Sequence, residues 1–281
     1  MIGARIPITQ IIIKHSVMRT TILSIGMALV ILFSAGCQKV IDLKLHDSTG
    51  KYIIEGNVTD QPGPYQVSIS QLGKVTDDYV FQGVSQANVH IRDNAGNGET
   101  LQETQPGIYQ TAALEGRTGR TYYLDITLGS VHFTASSTMP VRVPLDSLYI
   151  EEVFNFSKTV KAVVPVFTDP AGHGNCYRFN ETINGTLDKE LYYQNDDFSD
   201  GKESTWSLLR PDPDSTLHLN DQVAVEMECI DYPMYKYWYS MDQSSLGDGS
   251  NLAGNPVTNI QGGALGYFSA HTSQTKFIVV K

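Results

Sequence analysis

The sequence predicts an all-β fold. An immunoglobulin-like β-sandwich is expected over residues 51–140, followed over 141–281 by a second β-rich domain with one short helix near 231–243. Three observations carry this. From Lys51 the chain shows short runs of strict apolar/polar alternation, the period of a half-buried strand. Those runs are separated by turn residues, as in Gln61-Pro62-Gly63-Pro64, Asn94-Ala95-Gly96-Asn97-Gly98 and Gln105-Pro106-Gly107. Helical periodicity appears once after residue 37, where Met234, Tyr237, Trp238 and Met241 recur at spacings of three and four.

In chain order, the first element is Met18–Cys37, MRTTILSIGMALVILFSAGC. A basic start, an apolar run from Ile22 to Phe33 and the small residues Ser34-Ala35-Gly36 before one cysteine have the form of a bacterial lipoprotein signal peptide. The apolar run falls short of the roughly 20 residues that a spanning helix needs. Residues 1–36 are therefore expected to be removed and Cys37 to become a lipidated N-terminus carrying acyl chains such as palmitate. Several chains make such attachment stable. Translation from Met18 would account for residues 1–17; the alternative is an extended basic region. Residues 37–50 read as a tether.

Loss of residues 1–36 takes Arg5, Lys14 and Arg19 and no acid, so 20 basic and 30 acidic residues become 17 and 30. An acidic chain of this kind excludes nucleic acid as the expected partner, because cationic contacts to phosphate dominate that binding. Membrane affinity has to come from the lipid. Cys176 and Cys229 remain, with no Cys or His beside them at zinc spacing. They form either a disulfide or two separate buried thiols.

Seven strands are expected between Lys51 and Met139. The prolines at 140 and 144 mark the boundary. Beyond it LDSLYIEEVF, TVKAVVPVFTD, NCYRFNETI, LYYQ and QVAVEMECI read as strands, with Pro165 demoting the second to an edge or a bulge. Asp231 is placed to cap the helix and Pro233 suits its first turn. IQGGALGYFSA and TKFIVVK read as two final strands.

The helix offers the best binding candidate, the aromatic cluster Tyr232, Tyr235, Tyr237, Trp238 and Tyr239. Tyr237 and Trp238 share the apolar stripe and are expected to be buried. Tyr235 and Tyr239, four apart on its flank, are the expected ligand or partner contacts. His173 and Cys176 sit three apart, but no third group marks them as a catalytic pair. The Asp93–Glu99 stretch reads as a hairpin turn rather than a calcium loop. Asp196, Asp197, Asp200 and Glu203 read as a solvated acidic loop, with calcium the weaker alternative. No catalytic residue, metal site or cofactor is expected.

Several groups of residues resemble one family. They are Cys37-Gln38-Lys39-Val40-Ile41-Asp42, Ile54-Glu55-Gly56, Thr59-Asp60-Gln61-Pro62-Gly63-Pro64-Tyr65, Gly107-Ile108-Tyr109, Thr168-Asp169-Pro170 with Asn175 and Tyr177-Arg178, and Asn259-Ile260 with Gly262-Gly263 and Gly266-Tyr267-Phe268. Together they resemble the lipoproteins called domain of unknown function 4249. Cys176 departs from the aromatic residue expected there. The resemblance implies an outer-membrane lipoprotein with an accessory or substrate-capture role beside a TonB-dependent receptor, on either membrane face, and no established catalytic residues. It also implies hosts that O-glycosylate Asp-Ser-Thr or Asp-Ser-apolar motifs, which makes Ser48, Ser147 and Ser215 expected acceptors. A surface hydrolase acting on glycans or peptides and a purely structural envelope component are the competing expectations.

Overall fold

The computed structural model describes residues 51–73, 81–155, 158–212, 214–245 and 254–281. The expectations placed on the signal segment, Cys37, the tether and Ser48 lie outside the described residues. Seventeen strands follow in chain order: β1 (Tyr52–Thr59), β2 (Gln66–Leu72), β3 (Phe81–Gly83), β4 (Asn88–Asp93), β5 (Gly98–Thr100), β6 (Gln102–Gln105), β7 (Ile108–Gln110), β8 (Thr121–Leu128), β9 (Val131–Thr138), β10 (Ser147–Asn155), β11 (Lys158–Thr168), β12 (Cys176–Ile183), β13 (Thr186–Leu187), β14 (Tyr192–Asn195), β15 (Glu203–Ser204), β16 (Gln222–Ile230) and β17 (Leu265–Val279). One helix, α1 (Tyr232–Ser245), separates the last two. The fold is all-β and sandwich-rich with a single short helix among the described residues, as the alternation predicts.

One ten-stranded sheet organises the described residues. Its order is β13-β12-β16-β17-β1-β2-β7-β6, with β14 on β12 and β3 on β2. Two smaller sheets, β5-β4-β8-β9 and β10-β11-β15, complete the set. Side-chain parity shows how they pack. Along β17, Phe268 and Ala270 enter one apolar cluster with Ile54, Val67, Val89, Ile91 and Leu124. Ile278, of the same parity and hence on the same face, packs on a second cluster with Phe179, Val225, Met227, Val163 and Phe167. Both small sheets therefore cover the same face of the large one. Each fully buried side chain of this size contributes roughly 1.5–3 kcal/mol by leaving water.

The expected boundary at 140–144 falls where the chain passes from the four-stranded to the three-stranded sheet. There it crosses the large sheet and is tied to it. The Leu145 amide donates to Gln274 Oε1 at 2.9 Å, and Gln274 Nε2 donates to the Val143 carbonyl at 2.5 Å. The large sheet takes strands from both sides of this crossing, so the two cores share one wall.

Two local expectations change. The final apolar stretches form one fifteen-residue strand, not two. Its first half runs parallel to β1, with Ile54 opposite Gly266, and its second half antiparallel to β16. Continuous pairing on successive partners keeps it extended where local sequence suggests a break. Gly266 sits at φ +92°, and a Cβ there would lie 2.0 Å from the Ile54 carbonyl oxygen, so only glycine permits this approach. Pro165 does not place β11 at an edge, since β11 lies between β10 and β15. Its missing N–H falls in the gap between the Val163–Leu208 bridge and the Phe167–Ser204 pair, where no ladder bond is lost.

Candidate functional site

The other face of the large sheet carries the candidate site. Alternation puts Glu55 and Asn57 of β1, Tyr267, Ser269, His271 and Ser273 of β17, Glu226 and Glu228 of β16, and Arg178 and Asn180 of β12 on that face. The groups satisfy one another. Arg178 pairs with Glu228 at 3.2 Å, Asn180 Nδ2 donates to Glu226 at 3.0 Å and Glu228 at 2.8 Å, and the Ser273 hydroxyl donates to Glu226 at 2.5 Å.

Helix α1 covers one end of this polar face. Asp231 fixes its start. Asp231 Oδ1 accepts from the Met234 amide at 3.1 Å, while Oδ2 accepts from the Ser137 hydroxyl and the Thr138 amide, each at 2.8 Å. Burial raises the Asp231 carboxyl above its usual range, against the pull of those hydrogen bonds. Met234, Tyr237 and Trp238 are buried on Cys176, Ile230 and Tyr267, as the helical period predicts. The Arg178 guanidinium lies 3.8 Å from the Trp238 ring centroid. That cation–π contact locks the helix to the sheet's charged row.

The outer flank of α1 is a tyrosine ladder. Tyr232 stacks on Tyr235 at 5.9 Å and Tyr235 on Tyr239 at 6.3 Å, with interplanar angles of 21° and 27°. Tyr193 of β14 meets Tyr235 and Tyr239 edge-on and donates its hydroxyl to Asp242 at 2.7 Å. Tyr235 is half-buried, whereas Tyr239 and Tyr232 are 49% and 55% exposed. The expected contacts Tyr235 and Tyr239 thus stand together on one face. Tyr232, a member of the expected aromatic cluster, and Tyr193, which was not singled out from sequence, complete the set. Tyr232 is three residues before Tyr235, a legible helical spacing, whereas nothing local points to Tyr193. A cleft of about 200 Å³ opens beside Tyr232, walled by Pro140, Val141, Gly174, Cys176 and Ile230.

Cys176 and Cys229 are free and buried. Tyr177 pairs with Cys229 and Cys176 with Ile230, so the two thiols sit on neighbouring strands but face opposite sides of the sheet. Cys176 points to the helix cluster and Cys229 to the second core. The disulfide alternative is corrected to two separate thiols, because the sheet itself lies between them. Burial, then the negative charges of Asp196, Asp231, Asp197 and Asp169, push the Cys176 thiol up to about 12. No thiolate forms there near neutrality, which leaves His173 and Cys176 without a nucleophile. Of the expected acceptor serines, Ser147 and Ser215 are exposed.

Ser269, His271 and Glu228 were not singled out from sequence. Ser269 Oγ lies 2.9 Å from His271 Nδ1, and His271 Nε2 lies 3.8 Å from Glu228 Oε1. The residue types are those of a hydrolytic triad. The setting is not, since Ser269 is 3% exposed and Glu228 is already neutralised by Arg178. A serine nucleophile needs room beside it for an acyl group.

Beyond the ladder, the turns 169–175 and 195–202 interlock. Asp196 Oδ2 accepts from the amides of Gly174 and Asn175 at 2.7 and 2.9 Å, and Asp200 Oδ1 accepts from the Gly172 amide at 2.6 Å. Ligand-type atoms of His173, Asp196 and Asp200 lie within 4.8 Å of one another. Asp93, by contrast, closes the expected hairpin turn. Its carboxylate accepts from the Ala95 and Asn97 amides at 2.9 and 2.8 Å and pairs with Arg120.

No helix among the described residues is long and apolar enough to cross a membrane. No curated protein matches the chain. The family model described as domain of unknown function, DUF4249, matches residues 38–277, and the chain belongs to that family.

Proposed function

We propose that this protein is a lipid-anchored cell-envelope protein that acts by binding rather than catalysis, as an accessory subunit of a TonB-dependent outer-membrane importer. The observation that carries the binding role is the ladder of Tyr232, Tyr235 and Tyr239, braced from behind by Tyr193. Stacked phenols held on a docked helix present rigid, amphipathic edges at little entropic cost, the chemistry enriched at the centres of protein interfaces. The lipid anchor rests on the Met18–Cys37 pattern, and the importer on the family resemblance.

The test is co-purification from the envelope with the double variant Tyr235→Ala, Tyr239→Ala. The expected result is a folded protein that no longer recovers its partner, while the wild type recovers an outer-membrane receptor. Wild-type recovery by the variant would move the recognition surface elsewhere. A Cys37→Ser variant should lose lipid labelling and leave the membrane fraction; full retention would overturn the anchor.

A further inference from the structure

We infer that the interlocked turns beside the helix form a divalent cation site of mixed nitrogen and oxygen donors, built from His173, Asp196 and Asp200. This inference stands apart from the binding role of the ladder.

The first observation is how the carboxylates are held. Asp200 spends Oδ1 on the Gly172 amide and turns Oδ2 toward His173 Nε2, 3.7 Å away. Asp196, 2% exposed, is oriented through Oδ2 by two amides. Such outer bonds fix the direction of a ligand before a metal arrives. The second observation is independent of these bonds. Asp169 is 1% exposed; its Oδ1 accepts from the Tyr177 hydroxyl, while its Oδ2 makes no hydrogen bond of ordinary geometry and the carboxylate feels only the nearby Gly201 amide as a further donor. It begins the turn that carries His173, and its amide bonds to the Lys202 carbonyl at the end of the turn that carries Asp200. The charges of Asp196 and Asp200 both act on it. A buried carboxylate with a poorly partnered oxygen, acted on by two further negative charges, costs free energy unless a positive charge offsets it.

Protein cations do not supply that charge. Among the described residues no lysine or arginine forms an ion pair with Asp169, Asp196, Asp197 or Asp200. Among the described residues His173, with a side chain 75% exposed, is the one basic group in ion-pair range of the cluster. One imidazole with two carboxylates suits a first-row divalent ion better than calcium, which prefers six or more oxygens. Three protein ligands would leave coordination positions for water.

Zinc is the probe. Untagged full-length protein, stripped with chelator, is titrated with Zn²⁺ and separately with Ca²⁺ by calorimetry. The expected result is one Zn²⁺ per chain, bound more tightly than Ca²⁺. His173→Ala, at an exposed position, and Asp200→Asn, which keeps an oxygen for the Gly172 amide, should each weaken Zn²⁺ by more than about tenfold. Their melting curves in chelator should match the wild type. If Asp200→Asn misfolds, His173→Ala decides alone. Absence of stoichiometric Zn²⁺ in the wild type would overturn the site. Unchanged binding in His173→Ala would also overturn it, by placing the ion at another of the seven histidines or at oxygens alone.

Discussion

The two faces of the ten-stranded sheet come from the same strands yet differ in kind. Toward the small sheets, β1, β16 and β17 offer Ile54, Val58, Val225, Met227, Phe268 and Ala270, all fully buried. Toward the helix the same strands offer Glu55, Asn57, Glu226, Glu228, Ser269 and His271. The first face spends its side chains on stability. The second meets its own hydrogen-bonding needs and is covered at one end by a helix whose outer flank is aromatic. A strand period of two thus gives one segment an apolar packing face and a polar face that seats the helix, and substitutions at adjacent residues should separate the two.

The largest effect should come from the apolar face. Phe268→Ala removes a fully buried ring that also covers Gly56, and should cost about 4–5 kcal/mol in urea unfolding. Trp238→Ala, on the other face, should cost less, about 3 kcal/mol, because Trp238 keeps an exposed edge. A Trp238 loss equal to that of Phe268 would show that the helix belongs to the core, and would break the distinction between the faces.

The apolar face also holds a buried charged cluster. Arg210 holds Glu181 at 2.5 Å and Asp188 at 2.6 Å, all beneath β12. Burial raises the Glu181 carboxyl to about 7, despite the opposing charge of Arg210. The folded state then holds a proton that the unfolded state releases above about 4.5. Stability from this group is fully present below that value and is lost as pH rises through about 7. Glu181→Gln should flatten the decline in melting temperature between pH 5 and pH 8. An unchanged pH profile would mean that Arg210 keeps Glu181 ionised throughout. The smallest stability change should follow Tyr235→Ala with Tyr239→Ala, about 1–2 kcal/mol from lost ring contacts, with the larger loss appearing in association. A stability loss near that of Trp238→Ala would reassign the ladder to packing.

What was legible in the sequence was local. Alternation located the longer strands but not the short β3, β5 and β6, which raise the count before residue 140 from the expected seven to nine, and the 3.6-residue period separated buried Tyr237 and Trp238 from the flank of Tyr235 and Tyr239. The Asp93 turn followed from its residue types. What stayed hidden was partnership between distant segments. Nothing around Ile54 names Gly266 as its neighbour, and Ser269 with His271 gives no sign of Glu228. Tyr193 lies forty residues from the ladder that it braces. His173 and Asp200 meet because hydrogen bonds from Gly172, Gly174 and Asn175 to Asp200 and Asp196 draw two turns together. The disulfide question had the same origin, since composition gives the number of cysteines but not the side of the sheet that each one faces.

The long final strand has a consequence for how the chain comes into being. β1 is among the first described residues to be made, and its parallel partner is among the last, with Ile54 waiting for Gly266. Until the C-terminus has emerged, the first core lacks Phe268 and Ala270, and one edge of β1 stays open. Contacts over such sequence distances close slowly, because the chain loses loop entropy before they reward it. The first core is therefore completed only when the last strand has been made. A truncation before residue 265 should leave the first half without its native sheet, and proteolysis of staged C-terminal deletions would show a single late step at which protection appears.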